Sequence, residues 1–226
     1  MLRRNFVARA SHELQTPLSI IKGYTEALND DVVDSPEEQQ EYYSIIESET
    51  QKLSKMVLEL LELSKLENPE YNFDKKDFEF GSFVKSIVKK FQEASIEKTK
   101  NISFHFNGLD AKPIVYGDKN RLEQAINNII KNALNHTNKN GEIHINLIEE
   151  NNEITLEIFN TGSYIPEDNL ASIWDSFYTT NIEKESGSGS GLGLAIAKQI
   201  FLRHNAIFGA KNEPKGVKFW FSLKKE

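Results

Sequence analysis

Along the first 67 residues, side chains of like character recur at helical spacing. Leu14, Leu18, Ile21, Thr25 and Leu28 follow a 4-3-4-3 rhythm, and Ile46, Leu53, Met56, Leu60 and Leu63 carry a second stripe. Between them, NDDVVDSPEEQQ predicts a loop and then a helix start. Asp34 or Ser35 is the N-cap, Pro36 lies in the first turn, and Glu37 and Glu38 sit at the positive end of the dipole. The second helix is expected to end near Glu67, where NPE breaks it, after about 30 residues and about 45 Å. Two helices of this length cannot hide both apolar stripes against each other. The pattern therefore predicts a helical hairpin that dimerises into a four-helix bundle, with an intramolecular coiled-coil spacer as the alternative.

After Asn68 the period changes. GSFVKSIVKKFQEASIEK reads as an amphipathic helix and NISFHF and KPIVYG as strands. DKNRLEQAINNIIKNALNHT reads as a helix with Leu122, Ile126, Ile129, Ile130 and Ala133 on one face. Two alternating runs follow, GEIHINLIE and EITLEIFN, with Asn151 and Asn152 near the turn between them. The chain then passes through a Gly- and Ser-punctuated stretch, a helix LGLAIAKQIFLRH and a terminal hairpin AIFGAKNEPKGVKFWFSL. The segment from Thr161 to Ser190 is too long for a passive connection and is a candidate lid. The organisation expected is a helical domain over 1–68, a linker over 69–75 and an α/β domain over 76–226.

Composition narrows the chemistry. The 226 residues carry 27 Lys plus Arg against 34 Asp plus Glu, a net charge of −7, which argues against nonspecific binding to nucleic acid or an acidic membrane. No Cys is present, which removes disulfides, thiolate nucleophiles and Cys-ligated metal sites together. No apolar run approaches the ~20 residues of a membrane span. MLRRNFVARASHEL reads as the inside of a helix without a cap, so the chain is expected to be a piece of a longer protein.

Three features carry candidate chemistry. GSGSGLGL, residues 187–194, places glycines at alternate positions before an apolar helix, which suits close approach of backbone N–H groups to phosphate; a flexible linker is the plain alternative. On the helix from 118 to 137, Asn128 and Asn132 are four apart and project from one face. Their neutral oxygens suit a hard Mg²⁺, although in isolation an Asn-rich solvent face is the simpler account of the spacing. In SHELQTPL, residues 11–18, His12 is followed by Glu13 inside a helix that Pro17 loosens. An exposed imidazole with a carboxylate to take its Nδ1 proton is a competent nucleophile toward phosphorus, and alone it is an ordinary surface histidine. His105, His144 and His204 have no partner at metal-ligand spacing, and Trp174 reads as core.

Taken together and in order, these stretches resemble the transmitter region of sensor histidine kinases over nearly the whole chain. FVARASHELQTPLSII resembles the phosphoacceptor H box, NNIIKNALNHT the N box, IWDSFYTT the F box and GSGSGLGLAIAKQI the second glycine box. The resemblance implies an α plus α/β fold, a dimeric helical hairpin followed by an α/β sandwich of the histidine kinase and Hsp90-like ATPase type. It implies ATP and Mg²⁺ as cofactors, and as partners a second copy through residues 1–68 and the receiver domain of a response regulator. It also implies a cytoplasmic catalytic portion of a membrane-anchored protein. His12 would be the phosphorylated histidine, Glu13 its acid–base partner and Thr16 the residue that orients a hydrolytic water. Asn128 and Asn132 would hold Mg²⁺ and the triphosphate. Asn135, His136, Asn160, Gly162, Ile165, Tyr178, Gly189, Gly191, Leu192 and Gly193 would line the nucleotide site, with Phe177 beside Tyr178 as the F-box aromatics.

The chain departs from the family pattern at three places. In NTGSYIP, Asn160 stands where the family has an Asp that accepts from the adenine amino group, and Tyr164 stands at the second glycine of that box. Asn135 replaces a Lys often found near the phosphates. Asn160 still accepts through its amide oxygen but without charge assistance. These departures leave a second reading, a kinase-impaired ATP-binding scaffold or predominantly a phosphatase. A third, another ATPase of the same sandwich superfamily, gives no reason for SHELQTPL.

Overall fold

The computed structural model describes residues 2–30, 35–96, 102–178 and 190–225. Helix α1 (Leu2–Asn29) and helix α2 (Pro36–Glu67) form the expected hairpin, and the ring of Tyr24 meets that of Tyr42 edge-on at 4.7 Å across it. Ser35 is the N-cap of α2: its backbone is extended and its hydroxyl accepts the Glu38 N–H at 3.1 Å, with Pro36 and two glutamates in the first turn. Asp34, the other candidate, lies outside the described residues. Helix α1 runs on through Pro17, which is buried, although proline has no N–H to give the Glu13 carbonyl. Helix α2 stops at Asn68, whose amide oxygen accepts the Glu70 N–H at 3.0 Å and turns the chain.

Beyond the linker the elements are strand β1 (Lys76–Glu79), helix α3 (Phe80–Ile96), strands β2 (Ser103–Asn107) and β3 (Ile114–Gly117), helix α4 (Lys119–His136), and strands β4 (Glu142–Glu150) and β5 (Glu153–Thr161). Two short 3₁₀ turns then lead to helix α5 (Gly193–Arg203) and strands β6 (Ile207–Glu213) and β7 (Gly216–Lys224). Five strands make one sheet in the order β2-β4-β5-β7-β6, with only β2 and β4 parallel, while β1 and β3 form a separate antiparallel pair. Strand β1 was not expected from KDFE, which has a single apolar residue and so no legible alternation.

Alternation in the sheet puts one face on the core. Ile143, Ile145 and Leu147 of β4, Ile154, Leu156 and Ile158 of β5, and Val217, Phe219, Phe221 and Leu223 of β7 are buried. Helix α4 brings Leu122, Ile126, Ile129, Ile130 and Ala133 to the same core, and α5 brings Ile196, Ile200 and Phe201. Asn160 continues the inward row of β5 as its one polar member and is 2% exposed.

The helical hairpin docks on this domain. Met56, Leu63 and Leu66 of α2 are buried in the same apolar cluster as α5, and Phe6, Ala10 and Leu14 of α1 pack against it. Arg121 of α4 bonds Glu62 of α2 and the Tyr71 hydroxyl, and Arg203 bonds the carbonyls of Asn68 and Tyr71. Lys75 donates to the Arg203 carbonyl at 2.7 Å, so the linker is clamped between the start of α4 and the end of α5. No helix among the described residues is long and apolar enough to cross a membrane.

Candidate functional site

Three stretches converge at one end of the α/β domain. Helix α4 presents Asn128 and Asn132, both half-buried, and Asn128 Nδ2 donates to the Gly193 carbonyl at 3.0 Å. Gly193 opens α5, and a Cβ there would stand 3.7 Å from Asn128 Cγ, ordinary contact distance. The N-cap of α5 is Leu192, fully buried and with no acceptor in its side chain; its own N–H goes to Ser190 Oγ at 3.2 Å. The first N–H groups of α5, with the positive dipole end, therefore face the crevice beside Asn128.

Gly191 has φ +67, a left-handed conformation that favours glycine, and its carbonyl accepts the Phe177 N–H at 2.8 Å. Phe177 is buried and Tyr178 half-buried, so the aromatic stretch is tied to the glycine stretch. Trp174 packs edge-on against Phe201, Phe208 and Phe219 and is core, as expected. Gly189 and most of the candidate lid beyond Tyr178 lie outside the described residues.

The other wall is built on the end of β5. Gly162 has φ +150, and a Cβ there would lie 2.2 Å from the His136 carbonyl oxygen; the adjoining Thr137 and Gly162 form a bridge. Only glycine permits this approach of the loop to the end of α4. Asn160 Nδ2 donates to the Thr161 carbonyl at 3.2 Å. Gly216, opposite Thr161, approaches so closely that a Cβ would fall 1.9 Å from the Asn160 carbonyl oxygen. Ile165 is pinned on both sides by Asn212, whose amide accepts the Ile165 N–H at 3.0 Å and donates to its carbonyl at 2.7 Å. Tyr164 points outward, 59% exposed, and its hydroxyl accepts the Lys215 N–H at 3.1 Å. His136 is half-buried and Asn135 exposed, both in the last turn of α4.

His12 and Thr16 are exposed on α1, one turn apart, with the Thr16 hydroxyl donating to the His12 carbonyl at 3.3 Å, and Glu13 is half-buried. Six residues before His12, about 9 Å along the helix, the Phe6 ring lies 5.6 Å from that of Phe177. On α2, Glu59 accepts from the Ser190 hydroxyl. The helix bearing His12 thus touches the aromatic stretch and its neighbour touches the glycine stretch, with His12 itself on the solvent side. Asn212, Gly216 and Glu59 were not found from sequence, and Ser190 was read only as part of the glycine stretch. Of the first three, only Gly216, in a PKG turn, carried any signal there.

One histidine expectation changes, that for His105 and His144. His204 is a structural residue: its Nε2 accepts the Asp118 N–H at 2.9 Å, so Nδ1 carries the proton and donates to the Ile200 carbonyl at 2.8 Å. Burial pushes its pKa down to about 4 against the partial support of that carbonyl. His105 and His144, expected to lack a partner at metal-ligand spacing, lie side by side with Glu142. Parallel pairing of β2 and β4, invisible in local sequence, brings them together.

The donor set fits a nucleotide triphosphate with Mg²⁺: amide oxygens on one helix face, a helix N-terminus beside them, and a glycine-permitted wall ending in one buried polar side chain. Comparison with known proteins gives the family. The His Kinase A (phospho-acceptor) domain matches residues 2–69, and the histidine kinase-, DNA gyrase B-, and HSP90-like ATPase family matches residues 117–226. The sensor protein SrrB of Staphylococcus aureus strain NCTC 8325 is 31% identical over 227 aligned positions, covering 99% of this chain and 38% of that protein. The histidine kinase ThkA, in a crystal structure with the response regulator protein TrrA, matches 98% of this chain and 61% of its own at TM-score 0.80 and 28% identity. The Acinetobacter baumannii histidine kinase AdeS shares the fold, at TM-score 0.73 over 94% of this chain, 97% of its own and 23% identity. The chain belongs to the sensor histidine kinases and corresponds to their transmitter region. It spans about two fifths of the length of the curated relatives it matches.

Proposed function

We propose that the chain is an ATP-dependent autokinase that phosphorylates His12 and passes the phosphoryl group to an aspartate of a response regulator. The observation that carries this reading is the Asn128–Gly193 bond, which joins the amide face of α4 to the helix start at the glycine stretch, with Gly162 closing the same crevice against His136. Mg·ATP, as substrate, supplies the γ-phosphoryl group and charge neutralisation. Asn128 and Asn132 would hold the metal through their amide oxygens, and the N–H groups from Gly191 to the first turn of α5 would hold phosphate oxygens, assisted by Gly189. With its Nδ2 engaged by the Thr161 carbonyl, Asn160 keeps Oδ1 to accept from the base. Ile165, Leu192, Tyr178 and His136 enclose it.

At α1, Glu13 takes the Nδ1 proton of His12, leaving the Nε2 lone pair for phosphorus. The Nε2–P bond forms as the bond from phosphorus to the bridging oxygen breaks, and ADP leaves with that electron pair. The regulator's aspartate then takes the phosphoryl group from nitrogen. In the reverse sense, the Thr16 hydroxyl orients the water that hydrolyses the regulator's aspartyl phosphate. Positioning contributes most of the rate, so the ATP-binding domain must bring its crevice to His12. The exposed Leu18, Val57, Leu58 and Leu61 of the hairpin support a homodimeric four-helix bundle through residues 1–68. ATP as substrate suits a cytoplasmic catalytic portion.

His12→Ala is expected to abolish incorporation of label from γ-labelled ATP while ADP binding stays intact by calorimetry, and undiminished labelling would overturn the assignment. Asn160, Tyr164 and Asn135 motivate the second reading, mainly a phosphatase or an ATP-binding scaffold. Dephosphorylation of a phosphorylated regulator without measurable autophosphorylation would favour it.

A further inference from the structure

We propose that His105, Glu142 and His144 form a binding site for a late first-row divalent metal ion, of the Zn²⁺, Ni²⁺ or Cu²⁺ class, on the outer face of the five-stranded sheet. The register of two strands builds it. Parallel pairing sets His105 opposite His144 and Ser103 opposite Glu142, and Glu142 and His144 are two apart in β4, so both stand on the face away from the helices. One ligand atom from each of the three side chains lies within 4.8 Å of the others. The two imidazoles stack with centroids 4.5 Å apart and planes inclined by 22°, and His144 Nε2 lies 2.9 Å from a Glu142 carboxylate oxygen. Phe159, next across the sheet, stands edge-on to the His144 ring at 5.7 Å and limits its rotation.

Ligand atoms around a tetrahedral ion with bonds of about 2.0–2.1 Å are separated by about 3.3 Å. One pair here is already closer than that, and side-chain rotation alone brings in the third, because the backbones are fixed by strand pairing. Two imidazoles and one carboxylate select zinc, nickel or copper over Mg²⁺ and Ca²⁺, which take all-oxygen shells. Three protein ligands leave positions open to water, and the ligands are exposed or half-exposed, which makes the site reversible. None of the three residues belongs to the nucleotide crevice, so the inference stands apart from the kinase reading.

The test uses the full chain without a polyhistidine tag. Calorimetric titration with ZnCl₂ is expected to show uptake of one equivalent. His105→Gln and His144→Gln should each weaken it by at least the roughly 10–100-fold that loss of an outer-shell partner costs a metal site, and His12→Gln should leave it unchanged. Glu142→Gln should weaken it by a smaller factor. In the unmutated protein, Co²⁺ should broaden the imidazole NMR signals of His105 and His144 before those of His12 and His136. Absence of saturable one-to-one uptake, equal affinity in the His105→Gln/His144→Gln double variant, or even broadening of all the histidines would overturn the proposal.

Discussion

His204 shows what a single side chain contributes and how its role is tested. Unfolded, a histidine takes up its proton below about pH 6.5, whereas burial lowers this one to about 4, with Lys75 adding to the effect and the Ile200 carbonyl and Asp118 opposing it. Its folded pKa is depressed, so its stabilisation is complete above pH 6.5 and is lost as the pH falls through the window down to about 4. The shift corresponds to about 3 kcal/mol over that window. Urea midpoints at pH 7.0, 5.5 and 4.5 should fall for the wild type and fall measurably less for His204→Gln. Parallel losses in the two proteins would contradict the assignment. At this scale the sequence was a partial guide. SHELQTPL and the asparagines of α4 were legible because their spacing was local. Asn212 and Gly216 were not, because they act through partners about 50 residues away in the chain, Ile165 and Thr161. Asn160 was noticed as a departure from the family's aspartate, but only its position in the inward row of β5 makes it a buried polar group. Tyr164, noticed at the second glycine of the same box, points outward, and its hydroxyl accepts the Lys215 N–H in the β6–β7 turn.

Elements were more legible than residues wherever start and stop signals were explicit. Helix α2 was readable at both ends because Ser35, Pro36 and the glutamates mark its start and NPE its end. Helix α4 was readable because its apolar face recurs at the helical period and Asp118 caps it, accepting N–H bonds from Asn120 and Arg121 at 3.1 Å each. Strand β1 and the parallel pairing of β2 with β4 were not, since pairing is a long-range property that periodicity does not encode. The Ser35 cap yields a direct prediction: Ser35→Ala removes the hydroxyl that accepts the Glu38 N–H and should cost about 1 kcal/mol, read as a lower thermal midpoint with unchanged nucleotide affinity. Ser35→Asp should restore most of that loss, because Asp is an equally good cap and adds a charge at the favourable end of the dipole. If both variants melt like the wild type, the first turn of α2 is held by the hairpin and not by its cap.

At the scale of the whole molecule, α2 is the surface on which the α/β domain rests. The proposed phosphoryl transfer needs the nucleotide crevice to reach His12, yet Ser190 of the glycine stretch is bonded to Glu59, and the Phe6 ring lies against Phe177. One polar contact between the hairpin and the α/β domain is the Glu62–Arg121 ion pair, whose side chains are only 21% and 19% exposed. Removing one partner of a mostly buried pair leaves the other charge poorly solvated. Arg121 keeps Tyr71 and Gln124 as partners, so the loss should be about 2 kcal/mol, less than for a fully buried pair. That energy favours separation of the domains rather than their unfolding, because the pair lies between two units that each have other contacts of their own. Glu62→Ala is therefore expected to raise the radius of gyration in small-angle scattering while the midpoint for melting the α/β domain, followed through Trp174, stays near that of the wild type. The freed domain should reach His12 more often, so the initial rate of labelling from γ-labelled ATP should rise. Slower labelling in a more open molecule would mean that the docked arrangement is the one poised for transfer. An unchanged scattering profile would show that the apolar contacts of Met56, Leu63 and Leu66 with α5 hold the domains together without the ion pair.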